Sequence, residues 1–515
     1  MVTECGRYGR LALVLLLLVV AGCSRAYQQR DFEGRAHVML EAGMADIQDV
    51  YIDNVELTDL SEAALDGLRT IDPSLEVRRR ANVMQISAND AVLAIRTTPQ
   101  DVSAYTWAGT TAALADQARL SSGSLQDSTD EEIFEAMFNG VVEHLDQYSR
   151  YLTAEEASAS RADREGFGGI GITIESHPDG ALITTVTPGM PAAGAGLLPG
   201  DRILAVEDQT ISGFGMRKIV RLLRGPVDKP VNIRVGRDNV PEPMDIVVGR
   251  TRIVPNTVFY ERDGRIAYIR ITAFNQRTSK RLAEAIGQAM VELGDNMAGV
   301  VLDFRDNPGG LLDQAVDVAD LFLMEGRIVS TRGRHPASHQ FFEAEVGDIV
   351  GGRPIVVLLN GASASAAEIV AAALQDQSRA VVVGTNSFGK GTVQNVMAMP
   401  NDGELILTWA VFHAPSGYAL DHVGVLPTIC TSGVTDAEIV LDLHLTEDPD
   451  LARAGLDRRR SLRSEEERDA EAEARRCPWL PGADGDLDRA VARSLLDSPE
   501  LYRQAIWLGA DAGAG

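Results

Sequence analysis

Residues Asn360 to Gln394 read NGASASAAEIVAAALQDQSRAVVVGTNSFGKGTVQ. The apolar run Ile355–Leu359 precedes them, introduced by Gly352 and Pro354, and predicts a buried strand. A turn of small residues, Gly361 to Ala364, follows. Apolar residues at helical spacing then run from Ala366 to Gln375, with Glu368 in the first turn, where the positive end of a helix dipole favours an acid. A second buried strand, Ala380–Val383, leads into the glycine-rich loop Phe388-Gly389-Lys390-Gly391. This order puts a serine at a helix N-terminus, whose free N–H groups can hold an oxyanion. It also puts a lysine at the end of a neighbouring strand. A lysine desolvated in an apolar site can lose its charge and serve a serine as base. The same residues equally suit a tight structural turn and a surface lysine, and spacing alone does not choose.

The segment resembles the active-site region of the carboxyl-terminal processing (tail-specific) proteases, PDZ-containing Ser-Lys peptidases. Their motif runs S-A-S-A-S/A-E-I and, further on, F-G-K-G-x-x-Q, and both halves stand here at the family's spacing. Carried over by position, the resemblance implies Ser365 as nucleophile, Lys390 as general base and Gln394 as the residue that orients the lysine. Ser363 is the competing serine, two residues early.

At 515 residues the chain is too long for one core, so two to four domains are expected. Its 45% hydrophobic and 24% charged residues are ordinary globular values. A net charge of −26 argues against nucleic acid as a partner. The sequence has no zinc-type Cys/His cluster and no P-loop, so neither metal nor cofactor is expected. Arg7 and Arg10 precede the apolar run Leu11–Val20 and then Ala21-Gly22-Cys23. This is a signal-peptide pattern, too short for a stable membrane span. Its end resembles a bacterial lipobox, which implies removal of residues 1–22, lipidation of Cys23 and a lipid anchor on the periplasmic side of the cell envelope. Ser24, where an Asp could stand, favours the outer membrane over the inner. Cys430 and Cys477 remain as a candidate disulfide, which an exported compartment permits.

Residues 23–165 are expected to be mainly helical, over Ser61–Leu68, Ala104–Ala118 and Thr129–Leu145, the last capped by Ser128 with Glu131. Arg78–Arg80 reads as a solvated face. The stretch Leu145–Leu152, LDQYSRYL, resembles the family segment that precedes the PDZ domain. Residues 166–252 carry Gly166-Phe167-Gly168-Gly169-Ile170-Gly171-Ile172 and then P-x-x-x-A-G-L-x-x-G-D-x-I-x-x-V from Pro191. They resemble a β-rich PDZ domain of the bacterial protease type. In such a domain a peptide adds as a strand beside Gly169, Ile170, Gly171 and Ile172, backbone N–H groups capture its carboxylate, and Ile219 and Leu223 line the groove.

Residues 253–435 alternate strands with helices, which predicts an α/β unit with a largely parallel sheet; the resemblance implies a crotonase-like core. Asp303-Phe304-Arg305-Asp306-Asn307-Pro308-Gly309-Gly310 resembles the family's D-x-R-x-N-x-G-G loop. By that resemblance Gly309 or Gly310 supplies one oxyanion-hole N–H and Ala366 the other, while Asp303 and Arg305 hold the loop. Gly424-Val425-Leu426-Pro427 matches a segment that usually ends in an acid, replaced here by Thr428. In the tail, 436–515, Arg458–Arg476 reads as a solvated helix with i, i+4 pairs, and Leu487–Leu508 as an apolar helix that packs on the body or on a second subunit.

The fold class expected is thus multi-domain α/β: helical N-terminal region, PDZ domain, protease core, helical tail. The resemblance implies an exported, lipid-anchored serine endopeptidase that cuts proteins near their C-termini and reads the free end through the PDZ domain. It admits a homo-oligomer or an adaptor protein as further partners. A non-catalytic PDZ scaffold would tolerate loss of Ser365 or Lys390, and a crotonase-type acyl-CoA enzyme would have no use for a PDZ insert.

Overall fold

The computed structural model describes residues 31–510 except 102, 346, 475 and 481–485. The expectations for the leader and Cys23 fall outside the described residues. No helix among the described residues is long and apolar enough to cross a membrane.

The centre of the molecule is a six-stranded sheet in the order Val258–Asp263, Ile266–Ile271, Gly299–Asp303, Ile355–Leu359, Val381–Gly384, Ile429–Cys430. The first pair is antiparallel and the rest parallel. Strands buried on both faces need continuous apolar sequence, which is why IVVLL and VVVG serve here. Side chains alternate between the faces. Ile355, Val357 and Leu359 pack with the helices Thr278–Leu293, Leu312–Asp320 and Ala366–Asp376. Val356 and Leu358 pack instead with Val440, Val491, Leu495 and Ala505 of the tail. The tail is therefore the third layer of the core.

A second sheet, in the order Gln340–Glu343, Arg327–Arg332, Glu404–His413, Thr392–Ala398, lies beside the first. Strand Arg150–Leu152 joins it by pairing with Glu404–Ile406. Leu405 and Leu407 of this sheet, with Met399 just past its strand Thr392–Ala398, belong to the same apolar cluster as the N-terminal helices Phe32–Val50, Leu57–Gly67, Ala104–Ser121 and Asp130–Glu143. That N-terminal region also contains a three-stranded meander, Leu75–Arg80, Val83–Ala88 and Ala91–Thr97. A mainly helical reading overlooks it, because charged and apolar residues alternate too briefly there to stand out. Helix Asp130–Glu143 is capped one residue later than expected, by Thr129 with Glu132.

The PDZ domain has its own core around Ile183, Ile203, Ile219 and Ile233. Among the described residues strand Ile172–His177 pairs only with Gly180–Val186, which leaves its other edge open. In the tail, the expected solvated helix is two helices, Pro449–Ser461 and Glu465–Glu473. Arg459, Arg460 and Glu471 are 3%, 6% and 2% exposed, which overturns the solvated reading. The expected helix Leu487–Leu508 is broken at Ser498-Pro499 into Asp486–Asp497 and Pro499–Gly509, because Pro499 lacks the N–H that would continue the first helix.

Candidate active site

Ser365 stands immediately before helix Ala366–Asp376 with φ +55° and ψ −114°. A non-glycine residue held there is strained, and such strain persists only where neighbours over-determine it. The neighbour responsible is Glu368. Its carboxylate is wholly buried and accepts four hydrogen bonds, two on each oxygen. Oε2 takes the N–H of Ser365 at 2.7 Å and of Lys390 at 3.0 Å; Oε1 takes Ser387 Oγ at 2.5 Å and the Gly389 N–H at 2.7 Å. Burial pushes this carboxyl up to about 7, against the opposite pull of its donors.

Ser363, by contrast, is fully buried. Its hydroxyl donates to the Phe304 carbonyl and accepts from the Asn360 N–H, both at 2.9 Å. That hydroxyl is spent on the turn. Ser365 is half-buried, and its side chain closes a capping box with Glu368 at the start of the helix.

Lys390 is half-buried. Burial, then the nearby Arg150, lowers its pKa, while Glu368 and Asp146 oppose the shift. Its Nζ lies 5.3 Å from the centre of the Tyr148 ring. Tyr148 and Arg150 come from the segment before the PDZ domain, which Asp146 shapes by accepting from the N–H groups of Tyr148 and Ser149 at 2.6 and 2.9 Å. Gln394 does not meet Lys390 through its amide nitrogen, which donates to Thr392 Oγ1 at 2.7 Å and Thr408 Oγ1 at 3.4 Å.

Gly309 has φ +99°, and a β-carbon there would meet Ser365 Cβ at 2.8 Å and the Ala366 nitrogen at 3.0 Å. The glycine loop therefore touches the serine turn. The Gly309 N–H is already donated to Asn307 Oδ1 at 2.8 Å. The N–H groups of Gly310 and Ala366 carry no hydrogen bond among the described residues, which leaves them free for a ligand. Behind the loop, burial pushes Asp303 up, but the Arg305 guanidinium 2.9 Å away more than offsets this and holds the carboxyl below its usual range. Arg305 also pairs with Asp488 of the tail at 3.1 Å.

In the PDZ domain Gly169, Ile170 and Gly171 lead into the open strand that begins at Ile172. Ile219 is wholly buried and Leu223 is 6% exposed, and both belong to the core of that domain. Cys430 and Cys477 form a disulfide with Cα atoms 5.8 Å apart. Three parts of the site escape sequence reasoning: Glu368 as the link between the two loops, Tyr148 against the lysine, and the tail. Glu368 stands inside the quoted motif, but its first-turn position reads as ordinary dipole complementarity.

Residues 265–431 match the family model of peptidase family S41, and residues 182–237 that of a PDZ domain. A carboxy-terminal-processing protease of Bartonella bacilliformis is 42% identical over 304 residues, 58% of this chain and 70% of that protein. The carboxy-terminal processing protease CtpA of Bacillus subtilis is 32% identical over 314 residues, 60% of this chain and 66% of that one. A solved photosystem II D1 C-terminal processing protease is 21% identical with a TM-score of 0.38, covering 76% of this chain and 92% of that chain. A PDZ-bearing α/β peptidase of the serine type is the class defined here. The chain belongs to the carboxy-terminal-processing proteases of peptidase family S41.

Proposed function

We propose that this protease cleaves exported proteins near their C-termini with a Ser365–Lys390 dyad. The observation that carries the reading is the shared acceptor: Glu368 Oε2 binds the backbone of both residues, so nucleophile and base are set relative to each other by one buried group. Neutral Lys390 takes the proton from Ser365 Oγ as the oxygen attacks the scissile carbonyl. The negative charge that develops on the carbonyl oxygen is held by the Gly310 and Ala366 N–H groups. Lys390 then gives the proton to the leaving amine, and water, deprotonated in turn by Lys390, hydrolyses the acyl-enzyme. The lowered lysine pKa supports the neutral form this requires. Nucleophile and base are not hydrogen-bonded to each other here, and such contacts commonly tighten only in the substrate complex. Gln394 orients Lys390 in that complex by turning its carbonyl oxygen towards it.

The open strand edge at Ile172 supports recognition of the substrate's free carboxylate by the PDZ domain. The leader pattern supports export, with a lipid tether at Cys23 on the periplasmic side of the envelope. An unfolded reporter with an apolar C-terminus tests the central reading, its fragments mapped by mass spectrometry. Cleavage should disappear in Ser365→Ala and Lys390→Ala and weaken when the reporter's C-terminus is amidated. Survival of cleavage in Ser365→Ala would rule out the assigned nucleophile. Labelling with a radioactive fatty acid tests the tether, and label retained by Cys23→Ala would exclude that site.

A further inference from the structure

We propose that Arg459, in the tail beyond the matched peptidase region, is a positioning residue for the lysine loop Thr385–Gly391. The inference rests on the dyad reading above. Arg459 lies in helix Pro449–Ser461 and is 3% exposed. Its guanidinium donates to the carbonyl of Val423, to that of Gly424 at 3.0 Å and to Asn386 Oδ1 at 3.2 Å. No carboxylate forms an ion pair with it among the described residues, and its Nε has no partner. A buried guanidinium without an anion is expensive, and an interface that needed only filling would be served better by methionine or leucine. What the charge gains is a grip on both sides of the lysine loop.

Both sides lead to the chemistry. Gly424 is wedged against Glu368: a β-carbon on it would lie 2.9 Å from Oε1 and 3.0 Å from the Gly389 nitrogen. Asn386 is the second residue of the loop, and the tail holds it a second time, through its N–H on the Cys477 carbonyl at 2.9 Å. Further along, the His422 N–H donates to the Gly389 carbonyl at 3.0 Å, while the His422 ring pairs with Asp469 of the tail. The tail therefore grips the loop near its beginning and near Lys390. Releasing the Arg459 contact lets the loop shift, moves Lys390 away from Ser365 and admits water to Nζ.

The test uses the full-length protein and the unfolded reporter, with kcat and KM measured across pH. Arg459→Met should lower kcat at neutral pH by about 10²-fold with little change in KM, the scale expected for a small misplacement of a catalytic group. It should also move the acidic limb of kcat/KM to higher pH, because a more hydrated Lys390 holds its proton more tightly beside unchanged Tyr148, Arg150, Asp146 and Glu368. Arg459→Lys should recover part of kcat. A variant that melts earlier but keeps the wild-type kcat and limb would overturn the proposal and leave Arg459 purely structural. If Arg459→Met does not fold, Asn386→Ala removes one of the three acceptors, and an unmoved limb there overturns it equally. Ser365→Ala and Lys390→Ala run alongside. Activity in either sinks the dyad itself, whereas loss in both with an unshifted Arg459→Met sinks only the positioning role.

Discussion

The backbone N–H groups of Ser365 and Lys390 donate to one carboxylate oxygen, Glu368 Oε2, at 2.7 and 3.0 Å. Two loops from different strands thus share a fixed point with no access to water. Glu368→Gln replaces two acceptor sites with an N–H₂ group that faces donors. Expected are a loss of about 1–3 kcal/mol in unfolding free energy, from an unsatisfied buried donor, and a fall in kcat larger than any change in KM. Denaturant melts and steady-state kinetics check the two separately.

The same carboxyl gives a pH signature. Burial raises its folded pKa to about 7, above the ordinary value of 4.5. The folded state therefore holds this proton more tightly, so the contribution to stability is full below the unfolded value and is lost as pH rises through about 7. Urea melts from pH 4 to pH 8 should show a decline in wild type that is shallower in Glu368→Gln. Parallel curves would remove Glu368 as its source.

Tyr148 should keep Lys390 partly dry. Tyr148→Ala exposes Nζ, raises the lysine pKa towards its ordinary value and shifts the acidic limb of kcat/KM upward, so activity lost at neutral pH returns in alkali. A limb that stays in place would show that the ring does not govern the lysine.

Gly309 lies where a side chain cannot go. In Gly309→Ala the new methyl carbon meets Ser365 Cβ and the Ala364 carbonyl oxygen, both at 2.8 Å, at a φ that L-residues rarely adopt. A stability loss of roughly 1–3 kcal/mol from backbone strain should accompany a deeper loss of kcat. Peptide binding at the open PDZ strand edge, measured by fluorescence polarisation on the full chain, should not change.

Arg305 joins Asp303 of the glycine loop to Asp488 of the tail. Arg305→Met leaves two carboxylates facing each other without a cation, for which a destabilisation of about 3–5 kcal/mol is expected. Chemical denaturation measures it. Adding Asp488→Asn should restore part of the loss, because it removes one of the two stranded charges.

How legible the site was depended on how local its cause is. The serine turn, the lysine loop and the glycine pair are contiguous motifs, and their strands announce themselves by apolar runs. Ser365 over Ser363 became a physical distinction only when the Ser363 hydroxyl was found spent on Phe304 and Asn360. The difference between Gly309 and Gly310 is of the same kind, since Asn307 takes the Gly309 N–H. The tail was hardest to read. A run rich in Arg and Glu looks solvated because charge usually is, and nothing local reveals that Arg460 meets Asp376 at 2.9 Å across 84 residues. Tyr148 was hidden likewise, because its partner lies far along the chain.

The third layer of the core sets an order of events during synthesis. Val356, Leu358, Val381 and Val383 are covered by helices that begin only at Ala437 and include Asp486–Asp497 and Pro499–Gly509. Until those helices emerge and dock, one face of the sheet is bare and the lysine loop has lost its grips at Asn386 and His422. A chain made only as far as residue 436 already holds Ser365 and Lys390 but lacks the tail contacts that hold the lysine loop.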